Sequence, residues 1–218
     1  MTDPNQIVEA SKTTMERLTR ELRAVSTCNQ VLMRANDEPT LLKEVCQIIC
    51  NQAGYRMAWV GFAEHDSEKT VRPASIAGID DGYVHAAQIT WADTERGRGP
   101  IGQAIRTGQP VCFQDFAHDL RSIPWRDEAL RHNYHSVASF PLKKQNAETF
   151  GALNIYSEKV DAFTPSEMNL LKGLADDLAC GITVLRSRIE LKQAQEQRLA
   201  HLRFLERDRK STRLNSSH

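Results

Sequence analysis

The 218-residue chain predicts an α+β fold, an α/β sandwich in which helices cover a central sheet and a long helix flanks the body at each end. Three observations carry this. Apolar runs of strand length recur at Met57 to Phe62, Val71 to Ala77, Val111 to Phe113, Val137 to Leu142 and Phe150 to Tyr156, separated by polar turns. Helical periodicity flanks them, over residues 5–35 and from Thr164 onward. The composition, 40% hydrophobic with 28 basic against 28 acidic residues, supports one core of ordinary size. It leaves no charge excess to attract nucleic acid or an acidic membrane surface.

In the first helical segment Met15, Leu18, Leu22, Val25 and Leu32 form a heptad seam, with polar Asn29 at a core slot. Such a seam serves a second copy of the chain, or an amphipathic helix packing on its own domain. A second helix carries Leu41, Leu42, Val45, Ile48 and Ile49, with Thr40 as its cap, and stops near Gly54. MAWVGF, Met57 to Phe62, has the continuous apolar character of a strand covered on both faces. After the turn His65-Asp66-Ser67 comes a strand from Val71 to Ala77, broken by Pro73 and ended by Gly78. Asp80 to Gln88 reads as helix and Ile89 to Arg98 as irregular chain.

Pro100 to Arg106 is a short helix, with proline in its first turn and Thr107-Gly108 at its end. Pro110 introduces the strand Val111 to Phe113, which runs to Asp115. A polar loop and short helix fill His118 to Tyr134, and two strands joined by a polar turn follow. Thr164, Pro165 and Glu167 form a capping box with proline at the first helical position. From there Leu171, Leu174, Leu178, Ile182, Leu185 and Ile189 repeat every three or four residues, and Leu199, Leu202 and Leu205 continue the seam. A helix of this length, about 65 Å to Arg207 at 1.5 Å per residue, exceeds what one body can cover and calls for a partner helix.

Gly99, Gly102, Ala104, Ile105, Thr107, Gly108, Pro110, Val111 and Asp115 stand in the order Gly-x-x-Gly-x-Ala-Ile-x-Thr-Gly-x-Pro-Val plus an acidic residue. This resembles the core signature of the GAF domain, a small-molecule sensing and dimerisation module of bacterial signalling proteins. The resemblance covers most of Leu32 to Ile189. It implies a central antiparallel sheet, with a ligand pocket between one sheet face and the segments Ile89 to Gly99 and Phe116 to Tyr134.

The candidate ligand-binding residues are Trp59, Trp91, Arg96, Arg98, Cys112, Asp115, Trp125, Tyr134 and Ser139. Tryptophan offers a large apolar wall with one donor. Arg96 and Arg98, beside glycines, suit an anion. Asp115 accepts a hydrogen bond from a ligand or caps the next turn. Cys112 falls beside the implied pocket, but its surroundings speak against cysteine chemistry. GAF-related bilin photoreceptors often follow their cysteine with histidine, whereas Phe113 follows here. The free methionine sulfoxide reductases cluster several cysteines, whereas Cys112 is alone between Gly54 and Gly173. The Asn-Lys-x(n)-Phe-x(3)-Asp-Glu pattern usual in cyclic-nucleotide-binding GAF domains is absent. Cys46 and Cys50 read as a buried helix face, and His118, His132 and His135 as loop residues, so no metal is expected and no cofactor is named.

Five scattered cysteines fit a reducing cytoplasm rather than a disulfide framework. No apolar run approaches the roughly 20 residues of a membrane span, and the opening MTDPNQIVEASK lacks the regions of a signal peptide. The final DRKSTRLNSSH, residues 208–218, resembles a translated sequencing adapter and is set aside. The expected organisation is a signalling helix at 1–35, a GAF domain at 36–189, a coiled-coil linker at 190–207 and a missing output domain of histidine kinase or diguanylate cyclase type. The expected function is a cytoplasmic, homodimeric sensor that catalyses nothing itself. A redox enzyme of the sulfoxide reductase kind and a ligand-free dimerisation spacer are the alternatives.

Overall fold

The structure, a computed structural model, describes residues 4–215. Helix α1 spans Pro4–Arg34 and α2 spans Glu38–Asn51. Strands β1 (Met57–Ala63) and β2 (Val71–Gly78) form an antiparallel pair. The one-turn helix α3 (Tyr83–Ala86) precedes α4 (Pro100–Thr107), and β3 (Val111–Phe113) follows. After α5 (Arg126–Arg131) come β4 (Ser136–Lys143), β5 (Thr149–Ser157) and the long helix α6 (Pro165–Asn215). The strands form one sheet in the order β2-β1-β5-β4-β3, every pairing antiparallel.

The two sheet faces have separate covers. Ala58, Val60, Phe140, Leu142, Leu153 and Ile155, all fully buried, belong to the face on which α2 packs. The alternate residues, Met57, Trp59, Val137, Ser139, Ala152, Asn154 and Tyr156, point to the other face, under α4 and the segments around 79–99 and 116–134. Glycine sets how closely α4 approaches: a Cβ on Gly102 would lie 2.1 Å from the Gly97 carbonyl oxygen and 2.7 Å from that of Thr90.

Several local expectations change. Asp37, not Thr40, caps α2, accepting from the Thr40 amide at 2.8 Å. Pro39 has no amide to satisfy, so the helix begins before Thr40. Pro73 does not break β2, because β2 is an edge strand and a bulge opposite Val60 and Gly61 accommodates the proline. Helix α3 is shorter than Asp80 to Gln88, because Asp81 (φ 43°) and Gly82 (φ 84°) are left-handed. The capping box at Thr164 is present, with the Thr164 amide donating to Glu167 Oε2 at 2.7 Å and the Glu167 amide to Thr164 Oγ1 at 3.4 Å.

Part of helix α1 packs on its own domain. Ala24, Cys28 and Val31 are buried against the body. The predicted seam divides: Met15 is 63% and Leu22 51% exposed, whereas Val25 and Leu32 are half-buried. The chain divides into a body up to Gly181 and a helical unit from Ile182. Within the body, Leu171, Leu174, Ala175 and Leu178 of α6 are buried, and α6 comes close enough to α1 that a Cβ on Gly181 would sit 2.7 Å from Leu32 Cδ2. In the second unit Ile189, Leu191, Leu199 and Leu202 are exposed. The side chain of Leu205 and residues 216–218 lie outside the described residues. Helix α6 does not end at Arg207 but continues to Asn215, since nothing between them is proline or glycine.

Candidate functional site

Between α3, the start of α4 and the 116–125 segment lies a small cavity over the sheet face that carries Trp59. It is lined by Tyr83, Ile89, Arg96, Gly99, Pro100, Phe116, Trp125 and Tyr156, among others. The space open to the centre of a water-sized sphere is about 20 Å³, room for about one water. An open groove of about 800 Å³ along the start of β2 and the 84–96 segment shares Ile89 and Arg96 with the cavity. Ile89 and Arg96 therefore stand between the two, and Arg96 Nη1 donates to the Ala87 carbonyl at 2.9 Å.

The cavity wall is aromatic. Tyr156 contacts Tyr134, Tyr83 and Phe116, with ring centroids 4.9, 5.6 and 6.3 Å away. The Tyr83 and Tyr156 hydroxyls lie near each other. Burial pushes Tyr156 up to about 12 and Tyr83 well above its ordinary value, so both remain neutral donors at physiological pH. The Tyr134 hydroxyl donates to the Ile79 carbonyl, which ties α5's exit to the loop before α3.

Several buried polar atoms around this face lack a hydrogen bond of normal geometry: Trp125 Nε1, Trp59 Nε1, Ser139 Oγ and Asn154 Oδ1. Trp59 Nε1 lies beside the Tyr156 hydroxyl. Ser139 and Asn154 are paired across β4 and β5, and Asn154 is in turn opposite Trp59 on β1. Asn154 uses its amide NH₂ on the Ala152 carbonyl at 3.2 Å and the Trp59 carbonyl at 3.4 Å, which leaves the side-chain oxygen unused. A buried donor or acceptor left unpaired costs roughly 1–3 kcal/mol, so this concentration on one sheet face is costly without a compensating partner. The Trp125 indole packs on Gly99, where a Cβ would lie 2.6 Å from the ring.

Of the predicted residues, the structure groups Trp59, Trp125, Tyr134, Ser139 and Arg96 around this face and places the others elsewhere. Arg98 points away and pairs with Asp93 at 3.0 Å. Trp91 packs at the border of the cluster, its Nε1 donating to the Glu64 carbonyl at 2.8 Å and Lys69 Nζ lying 4.7 Å from its ring centre. Asp115 caps its own turn, accepting from the Ala117 amide at 2.9 Å. A 2.7 Å hydrogen bond with His118 holds its carboxyl below the ordinary range. Cys112 alternates with Phe113, which belongs to the cavity-side cluster, so its thiol is on the opposite face. Burial pushes that thiol up to about 12, which keeps it protonated.

Most other contributors had no sequence signal. Arg106 Nη1 donates to the carbonyls of Trp91, Ala92 and Gly97 at 3.0, 2.9 and 2.6 Å and holds the loop before α4. Arg126 does the same for the other wall, through the Phe116 and Asp119 carbonyls at 3.1 and 2.8 Å. Phe116 opens a segment that the family resemblance placed at the pocket, whereas Tyr83, Tyr156 and Asn154 read as ordinary helix or strand residues until the sheet register placed them together. Among the described residues, no group of three or more His, Cys, Asp or Glu is placed to hold a metal ion.

The GAF domain family model matches residues 35–183. The chain belongs to the GAF domain family. No curated protein sequence matches it. Among solved structures, it is similar to the GAF domain of a phosphoenolpyruvate-protein phosphotransferase from Coxiella burnetii, at 20% identity and a TM-score of 0.64, covering 78% of this chain and 96% of that one. It is similar to a free methionine-R-sulfoxide reductase from Neisseria meningitidis solved with its substrate, at 19% identity and a TM-score of 0.63, covering 77% and 91%. It is also similar to the nlh2 GAF domain of A. aeolicus in an inactive state, at 16% identity and a TM-score of 0.60, covering 77% and 98%. At these identities the likeness is one of fold. Among the described residues, no helix of this GAF domain is long and apolar enough to cross a membrane.

Proposed function

We propose that this GAF domain is a cytoplasmic sensor module that binds a small molecule at the Trp59 face of its sheet and signals through α1 and α6 to an output domain in cis. The observation that carries the reading is the set of unpaired polar atoms on that face, Trp125 Nε1, Trp59 Nε1, Ser139 Oγ and Asn154 Oδ1. Of these, Trp125 belongs to the cavity lining, where a ligand with a hydrogen-bond acceptor and a flat apolar body would satisfy its Nε1; Trp59, Ser139 and Asn154 share the sheet face without lining the cavity. With room for about one water, the described conformation is a closed state. Binding therefore selects an opened arrangement of the 84–99 and 116–125 walls. A ligand shifts such an equilibrium only by its difference in affinity between the two states. The exposed seam residues Met15, Leu18 and Leu22 support a homodimer whose helices carry the change.

Thermal melting of the full chain against a broad panel of soluble metabolites tests this. A ligand at 100 times its dissociation constant should add about 2.7 kcal/mol. The same ligand should quench or shift tryptophan fluorescence, because Trp125 and Trp59 line or adjoin the site. A flat response across the panel would favour the ligand-free dimerisation spacer.

The redox-enzyme reading draws on the likeness to the Neisseria meningitidis enzyme. In this chain the cysteine nearest the signature, Cys112, faces away from the cavity with a protonated thiol. Turnover of free methionine sulfoxide by the wild type, abolished by Cys112→Ser, would restore that reading. Absence of turnover removes it.

A further inference from the structure

Helices α1 and α6 meet at a buried ionic cluster that the proposed sensor cavity does not use. Glu21 on α1 and Glu167 in the first turn of α6 are each 3% exposed. Both carboxyls converge on the same guanidinium, and the nearby Glu167 carboxyl favours the protonated form of Glu21. Two carboxylates held together out of water are favourable only when a proton is kept on one of them. One cation lies directly against the pair: Arg17 Nε is 3.2 Å from Glu167 Oε1 and 3.9 Å from Glu21 Oε1. Arg20, also on α1, acts more weakly on Glu21. From the turn after α2, Tyr55 closes the site. Its ring stacks on Phe163 at 5.6 Å, and its hydroxyl is buried without a hydrogen-bond partner beside both carboxyls. Glu167 also serves the α6 capping box through its Oε2, so one carboxyl links the start of α6 to α1.

We propose that Arg17, Glu21, Glu167 and Tyr55 form a proton-loaded latch, which fastens α1 to the root of α6 and releases α1 when the carboxyl pair loses its proton. With the proton, the pair carries one negative charge opposite Arg17. Without it, two buried negative charges face Arg17, with Arg20 acting more weakly, an arrangement that burial penalises. Burial is the largest cause that holds the Glu21 proton, followed by the nearby Glu167 carboxyl. Arg17 and Arg20 oppose them, and the result is a rise from 4.5 to about 8. The docked helix therefore binds a proton that a released helix, with an ordinary glutamate, gives up. Docking is complete below the ordinary value of 4.5 and weakens as pH rises toward about 8.

The link to signalling rests on the sensor reading above, whereas the latch itself can be tested on this chain without ligand or output domain. Amide hydrogen exchange of the full chain, corrected for intrinsic rates, is compared at about pH 6 and about pH 9, on either side of the release. Amides from Thr19 to Cys28 in the wild type should lose about tenfold or more of their protection at the higher pH. Glu21→Gln keeps a hydrogen-bond donor but cannot ionise, so its α1 protection should not depend on pH. Arg17→Gln removes the cation that favours the ionised pair and should move the loss to higher pH. Unchanged wild-type protection at the higher pH, or the same loss in Glu21→Gln, overturns the latch. If Glu21→Gln does not fold, the direction of the Arg17→Gln shift decides: an unmoved or lowered midpoint also overturns it. A flat metabolite panel would leave these outcomes untouched, so the two readings fail separately.

Discussion

The two faces of one sheet differ in what their buried atoms lack. On the α2 face, Val60, Phe140, Leu142, Leu153 and Ile155 present only hydrocarbon, and burying it is uniformly favourable. On the other face Trp59, Ser139 and Asn154 are equally inaccessible yet retain unpaired polar atoms. Both faces come from the same strands in alternation, so strand propensity and depth are shared. The difference sets a face that only packs hydrocarbon against a face that keeps buried polar groups without partners.

Substitutions can break or sharpen that contrast. The largest effect is expected at the centre of the hydrocarbon face, where Leu153→Ala should cost about 2–5 kcal/mol in denaturant unfolding through lost transfer energy and a cavity. Next is Gly102→Ala, where the new methyl must displace the Gly97 and Thr90 carbonyls. A cost of roughly 1–3 kcal/mol is expected, together with altered near-ultraviolet dichroism from displaced cavity tryptophans. Smallest is Ser139→Ala on the Trp59 face. Removing a hydroxyl with no partner should be neutral or stabilising by up to about 1 kcal/mol, while weakening any ligand that uses it. A loss at Ser139→Ala comparable to that at Leu153→Ala would erase the distinction between the faces.

Much of the fold was legible because its signals are local. The capping box at Thr164 and Glu167, the αL glycine after α4 and the apolar strands each depend on neighbours within a few residues. The Trp59 face of the sheet was half legible. Trp59, Trp125, Tyr134 and Ser139 were recognisable candidates, but nothing local said that Cys112 would face away or that Arg98 would pair with Asp93. The parity of β3 relative to β4 decides the first, and the path of an irregular loop decides the second. The seam on α1 was visible as a period of residues, yet which stripe the body would claim was not.

The sequence by itself determined the family, the order of the elements and the presence of two helical seams, because motif spacing and periodicity are properties of the chain alone. Only the tertiary structure decided which polar groups are left unpaired over the sheet, and that Glu21 meets Glu167 across 146 positions of sequence. A buried group's partner, or its lack of one, depends on atoms brought together from distant parts of the chain.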